Sequence, residues 1–186
     1  ITGDDPDPTH IYASAGTYTV EISGVFTHLQ LTIPRRFIIP QEIANAAKLL
    51  SIEQWGDMQW ESMENMFRVA VNMTNNASDA PNLSRVASML GMFQQAESFN
   101  GDLSSWDVSS VSDMRNMFFR ASSFNGNLSN CNVSNVTVIG GMFREAGSFN
   151  GDLSKWDVNN VTNMAYMFRS ANSFNGDLSN WDVSNV

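Results

Sequence analysis

Cysteine is nearly absent from this 186-residue chain. Cys131 stands alone, so there is no internal disulfide framework. Histidine is almost as scarce. His10 and His28 are isolated, and two lone histidines make neither a zinc site nor a catalytic triad. Positive charge is short as well. Ten Lys and Arg face nineteen Asp and Glu, a formal net charge of −9. Nucleic acid and anionic membranes both call for basic patches, so this balance argues against either as a partner. No apolar run approaches the roughly 18–20 residues of a membrane helix, so no membrane insertion is expected of this segment, and Ile1 opens nothing like a signal peptide. There is no Walker loop, no dinucleotide fingerprint and no pair of carboxylates in a plausible cleft. The residues therefore point away from an enzyme and imply no cofactor.

What the chain has in abundance is repetition. The tract S-F-N-G-D-L-S-x-W-D-V recurs every 25 residues, with its phenylalanines at Phe99, Phe124, Phe149 and Phe174. A fixed period of this length is the mark of a solenoid, in which each unit stacks on its neighbours. Twelve Phe and eleven Met are many for this size, and most fall at repeat positions, which argues for core use. Both ends read as cut: Ile1 enters a turn-rich T-G-D-D-P-D-P, and Val186 falls inside a repeat.

Within one unit, Leu103, Trp106, Val108 and Val111 fit the strand pattern of a leucine-rich repeat. The strand is then 106–108, with Trp106 and Val108 inward and Asp107 outward. Ser112, Thr137 and Thr162 suit helix N-caps. Met114, Met117, Phe118 and Ala121 then fall on one helical stripe, and Asn125-Gly126, a pair that tolerates positive φ, ends the helix. Strand triplets are expected at 50–52, 81–83, 106–108, 131–133, 156–158 and 181–183. The predicted fold class is thus an α/β repeat, a right-handed leucine-rich-repeat-like solenoid with short parallel strands and one short helix per coil.

Ahead of the array the texture changes. Tyr18, Val20 and Ile22 alternate with Thr17, Thr19 and Glu21 as in a strand, and a second strand is expected at about 29–33. The predicted layout is a small β segment over 1–33, a linker and capping coil over 34–59, and the repeat array over 60–186.

The unit S-F-N-G-D-L-S-S-W-D-V-S-S-V-S-D-M-R-N-M-F resembles the BspA-like leucine-rich-repeat surface proteins of bacteria, over about residues 47–186. The tract H-I-Y-A-S-A-G-T-Y-T-V resembles the last strands of a PKD-like β-sandwich. Together these resemblances imply an extracellular or cell-surface protein used in adhesion or recognition of a protein or glycan on another surface. They carry no catalytic residues. A second reading is a structural subunit of a surface filament, stalk or virus-like appendage, self-associating through the solenoid ends.

In such a repeat the outward strand positions line the concave face. They are Ser51, Asn82, Asp107, Asn132, Asp157 and Asp182, flanked by Ser105, Asn130, Lys155 and Asn180. They read either as a weakly acidic binding face or as a solvated sheet. Asp102, Asp152 and Asp177, with Asn127 between them, form a second ladder after each Asn-Gly. It reads as a calcium site or as turns whose side chains bond local backbone. Asn127 and Asn132 interrupt both acidic ladders in one coil, which relieves like-charge repulsion. Cys131 replaces the tryptophan of Trp106, Trp156 and Trp181. It reads as a buried, inert thiol; exposed tryptophans would instead be free to stack on sugars. Sequons begin at Asn72, Asn76, Asn82, Asn127, Asn132, Asn135 and Asn160, several as by-products of the repeat.

Overall fold

A computed structural model describes residues 13–22, 29 and 44–186. Most of the β segment expected at 1–33 lies outside the described residues, with His10, His28 and all of the 29–33 strand but Leu29. Where that segment is described, 17–22 form no strand, and Tyr18 and Val20 are exposed.

The expected α/β architecture is not what forms. Among the described residues helix is confined to a stub at 44–46. Only two strands occur among the described residues, β1 (Ser51–Ile52) and β2 (Thr74–Asn75). They pair in parallel with Ser51 opposite Thr74 and Ile52 opposite Asn75. Beyond them, single parallel bridges join Gln59 to Asn82 and run up the column Ser88, Asp113, Val138, Asn163. No strand forms at 106–108, 131–133, 156–158 or 181–183.

Turns replace both elements. Trp106 N–H bonds Leu103 C=O at 3.0 Å and Val111 N–H bonds Val108 C=O at 2.9 Å. These are two successive four-residue turns, each opened by an Asp: D-L-S-S-W and D-V-S-S-V. Ser104 N–H donates to Asp102 Oδ1 at 2.8 Å, and Ser109 N–H to Asp107 Oδ1 at 3.1 Å. Asp and Asn favour turns because their side chains capture the backbone two residues on. The apolar residues three apart are turn ends, so both point into the core without any strand alternation.

The segment expected to be helical is a run of turns too. Met117, Phe119 and Ala121 N–H bond the carbonyls three residues back, of Met114, Asn116 and Phe118. The intervening N–H groups go to the next coil: Met114 to Val138, Asn116 to Gly140, Phe118 to Met142 and Arg120 to Arg144, at 2.9–3.0 Å. A helix would keep these bonds internal. Positive φ at Asn116 (54°) and Arg120 (60°) excludes a right-handed helix outright. The spacing of Met114, Met117, Phe118 and Ala121 imitates a helical stripe because two turns also return side chains to one side every three or four residues.

Ser112, Thr137 and Thr162 do not cap helices. Their hydroxyls bond the carbonyls of Ala87, Ser112 and Thr137 in the preceding coil, each at 3.2 Å. Asn-Gly does not supply positive φ either. The glycine is there because a Cβ at Gly126 would strike the Gly101 carbonyl of the coil below and the Phe124 ring. The asparagine builds a ladder: Asn125, Asn150 and Asn175 N–H donate to Asn100, Asn125 and Asn150 Oδ1 at 2.7–2.8 Å.

The core is a set of aromatic columns. Phe93, Phe118, Phe143 and Phe168 stack at 5.6–5.7 Å between centroids. Phe99, Phe124, Phe149 and Phe174 stack beside them at 5.7–5.8 Å. Within a coil the two rings lie 3.8–4.1 Å apart, as in Phe118–Phe124 and Phe168–Phe174. Aromatic pairs of this kind add about 0.5–1.5 kcal/mol each beyond the area they bury.

Candidate functional site

The predicted binding residues share one flank. Ser105, Asp107, Asn130, Asn132, Lys155, Asp157, Asn180 and Asp182 are all exposed, as are Asp102, Asp152 and Asp177. Their backbone belongs to the twin turns, so the flank is no concave strand face. Each acidic or amide side chain of the two ladders holds a turn. Asn127, Asn132, Asp152, Asp157, Asp177 and Asp182 accept from the N–H of Ser129, Ser134, Ser154, Asn159, Ser179 and Ser184. The hydroxyl and amide of Ser109 hold the Asp107 carboxyl below its ordinary value. Ser154 does the same for Asp152, Ser179 for Asp177 and Ser184 for Asp182. Asp152 pushes Asp177 the other way, more weakly, which is the repulsion expected of stacked carboxylates. The Asn127–Asn132 coil makes the same turns without charge. Among the described residues no group of three or more His, Cys, Asp or Glu could hold a metal ion.

Trp106 and Trp156 are core, and Trp181 is half-buried against it. Trp106 and Trp156 are each 4% exposed. The indole N–H of Trp156 donates to Leu128 C=O at 3.1 Å and that of Trp181 to Leu153 C=O at 3.0 Å. Cys131 takes the same place with less bulk, its Sγ 3.7 Å from Leu103 C=O. Burial pushes its pKa up to about 11, aided by nearby Asp102, so the thiol stays protonated and unreactive. Trp106, Trp156, Met114, Met117 and Met142 close around it and leave a void of about 10 Å³. That is at the lower limit for one water, and the lining is apolar.

The sequons divide by what their side chains do. The amide nitrogens of Asn72, Asn76, Asn135 and Asn160 donate to Ala47, Glu53, Ser109 and Ser134. Asn82 and Asn127 instead receive the hydroxyl of Ser84 and Ser129 on Oδ1, both at 2.8 Å.

A second flank is not legible in the repeat consensus because it occupies the variable positions of M-x-x-M-F-x-x-A. Phe119 is half-buried, with the guanidiniums of Arg120 and Arg144 at 5.0 and 4.9 Å from its ring centroid. Glu145 ties both arginines: Arg120 Nε donates to Oε2 at 2.7 Å and Arg144 Nε to Oε1 at 3.2 Å. The bond from Arg120 is the main reason that the Glu145 carboxyl sits below its ordinary pKa. One coil on, Arg169 lies 5.6 Å over the ring of Tyr166, which is 65% exposed. Arg115 pairs with Asp113 through Nε and Nη2. The available signal was variation between copies. Where the Asp flank repeats almost unchanged, the column through Phe119 reads Arg68, Gln94, Phe119, Arg144, Arg169. The next reads Val69, Gln95, Arg120, Glu145, Ser170.

These features define a repeat protein of stacked, turn-built coils with two chemically different flanks. The chain belongs to the family described as Mycoplasma protein of unknown function, DUF285, whose model matches residues 40–142 and 103–186. This bears out the resemblance at the level of a surface-protein repeat family, and not its leucine-rich-repeat or PKD-like parts. No curated protein matches. No solved structure matches. Among the described residues no helix is long and apolar enough to cross a membrane.

Proposed function

We propose that this is a non-catalytic recognition or adhesion module, displayed outside the cell, that engages a protein partner through the arginine–aromatic flank. The observation that carries the reading is the contrast between flanks. The residues repeated from copy to copy on the Asp flank are spent on turns and ladders, as Asp102, Asp107 and Asn125 illustrate. The residues free to differ include Arg115, Phe119, Arg120, Arg144, Tyr166 and Arg169. Arginine and aromatic residues are enriched where interfaces concentrate their binding energy. Glu145 and Phe119 already order two of the guanidiniums, which lowers the entropy lost on binding. A glycan partner has less support, because Trp106 and Trp156, which would stack on sugars, are buried and Trp181 is half-buried.

Screening the chain against immobilised protein and glycan panels tests this. Any ligand found should be lost when Arg120, Arg144 and Arg169 are all changed to Glu, with the thermal melt retained. A ligand bound equally well by that variant would sink the reading.

A further inference from the structure

The chain carries two rows of opposite charge. One flank exposes Asp102, Asp107, Asp152, Asp157, Asp177 and Asp182, with Lys155 and, one coil earlier, Arg85 beside Glu61 as the cations among them. The other exposes Arg115, Arg120 and Arg169 and half-exposes Arg144, with Asp113, Glu145 and Glu64, which acts on Arg115, as the carboxylates among them. The two flanks bury their apolar residues against each other: Leu103, Trp106 and Val108 from one side and Met114 and Met117 from the other line the same void. Their charged residues therefore lie on different sides of one core.

Both rows advance once per coil, so their axial spacings match whatever the pitch. An unrelated acidic segment would meet that pitch only by coincidence; another copy of the chain meets it by construction. The chemistry is matched as well. Each turn amide on the Asp flank binds Oδ1. The neighbouring serine hydroxyl adds a bond at Asp107, Asp152, Asp177 and Asp182. An ionised carboxylate, with about four acceptor sites, keeps capacity for a further donor. On the stripe, Glu145 engages the Nε of Arg120 and Arg144 and not their terminal nitrogens. A guanidinium's terminal edge meeting a carboxylate oxygen gives a charge-assisted hydrogen bond, about twice as strong as a neutral one.

We propose that the partner of the arginine–aromatic stripe is the aspartate flank of a second copy of this chain, so that stacks pack side by side. This rests on the reading of that stripe as the recognition surface. The contact joins two different surfaces, so it does not close on itself as a twofold would; it propagates from copy to copy, as an open row or, where the rotation between copies closes, as a ring. The net charge of −9 opposes such packing at a distance. At ~0.15 M salt the Debye length is about 8 Å, which screens the overall repulsion and leaves contact pairs largely intact.

Sedimentation velocity on the full chain tests the proposal. At ~0.15 M salt the average mass should rise with protein concentration, and at ~1 M, where screening reaches about 3 Å, it should fall back toward the monomer. The variant R144E/R169E should self-associate about tenfold more weakly or worse. So should D152N/D177N/D182N, whose turns survive because Asn makes the same turn at positions 127 and 132. Mixed together, the two variants should associate again, since each keeps the surface that the other lacks. Two outcomes overturn the proposal. If the parent is monomeric at every salt but binds poly-L-glutamate through Arg144 and Arg169, the stripe takes an acidic partner other than itself, and the recognition reading stands. If the parent associates and neither variant changes this, the contact lies elsewhere; poly-L-glutamate binding that is also unchanged in R144E/R169E then removes the recognition reading too.

Discussion

At the scale of single residues, backbone geometry decides which substitutions the coil tolerates. One column holds positive φ at Asn65, Gly91, Asn116, Gly141 and Tyr166. Asparagine and glycine alternate over its first four coils. A Cβ on Gly141 would run into Asn116 Oδ1 of the coil before, and one on Gly91 into Asn65 Oδ1, so each asparagine lies over the glycine of the next coil. The second column holds Val69, Gln95, Arg120, Glu145 and Ser170 at φ of 58–60°. Left-handed geometry costs an ordinary residue about 1–2 kcal/mol. The coil above secures it: Gln95, Arg120 and Glu145 N–H reach the next coil's carbonyls at 2.8–2.9 Å. Gly141→Ala should therefore lower stability by about 1–2 kcal/mol or more, from strain and collision together. Gln95→Gly should hold stability within about 1 kcal/mol of the parent, because relieved strain offsets the glycine entropy. Urea unfolding midpoints compare the two. Equal loss in both would show that strain at these columns does not govern stability.

At the scale of the element, the turn is the unit, and much of its pattern is present in the sequence. The five-residue pattern D-L-S-S-W, D-V-S-S-V stands in the sequence, and the bonding of Asn and Asp to local backbone was among the expectations. The strand was inferred because Leu103, Trp106, Val108 and Val111 also satisfy a leucine-rich-repeat template. Apolar spacing cannot separate that template from two consecutive turns. What separates them is the destination of each N–H, which depends on the neighbouring coil. The turns also give an acid dependence. Asp107, Asp152, Asp177 and Asp182 are held below the ordinary value of 3.8, first by the Ser109 and Ser154 hydroxyls and by the Ser179 and Ser184 amides. A carboxyl depressed in the folded state binds its proton more readily when unfolded. Its stabilisation is full above the unfolded value and is lost as pH falls through the folded one. Unfolding midpoints should hold from neutral pH down to mildly acidic conditions and drop below about 3.8. D152N/D177N/D182N should drop less, since asparagine serves the turn without titrating. An unchanged acid limb in that variant would show that these turns do not set the acid sensitivity.

At the scale of the molecule, stability runs along the stacking axis. Most contacts join adjacent coils, with Trp55 reaching Trp106 two coils on at 5.2 Å, so a defect in one coil weakens chiefly two interfaces. Phe124 touches the Phe99 and Phe149 rings at 5.8 Å on either side and Phe118 at 3.8 Å within its own coil. Phe124→Ala should cost about 3–5 kcal/mol. Phe174→Ala should cost less, because that ring is only half-buried and stacks on Phe149 alone in its column. A thermal melt of the two variants checks the order. A Phe174 variant as damaged as the Phe124 one would mean that stability is not shared along the columns.

The sequence by itself determined the period and the core residues. Leu103, Trp106, Met114, Phe118 and Phe124 are buried wherever their copies stack, because a 25-residue repeat returns the same side chain to the same side. It also placed Cys131 at the tryptophan position of its repeat, and the structure shows that position buried there. Only the tertiary structure decided what the backbone does between those residues. Hydrogen bonds from Met114, Asn116, Phe118 and Arg120 to the next coil displace the helix, and no single unit contains both partners of those bonds. The same stacking brings Arg144 of one coil to Phe119 of another and gives both Arg120 and Arg144 one shared carboxylate in Glu145. A consensus averages these positions away, because each differs from coil to coil. The arginine stripe therefore exists only once the coils are stacked.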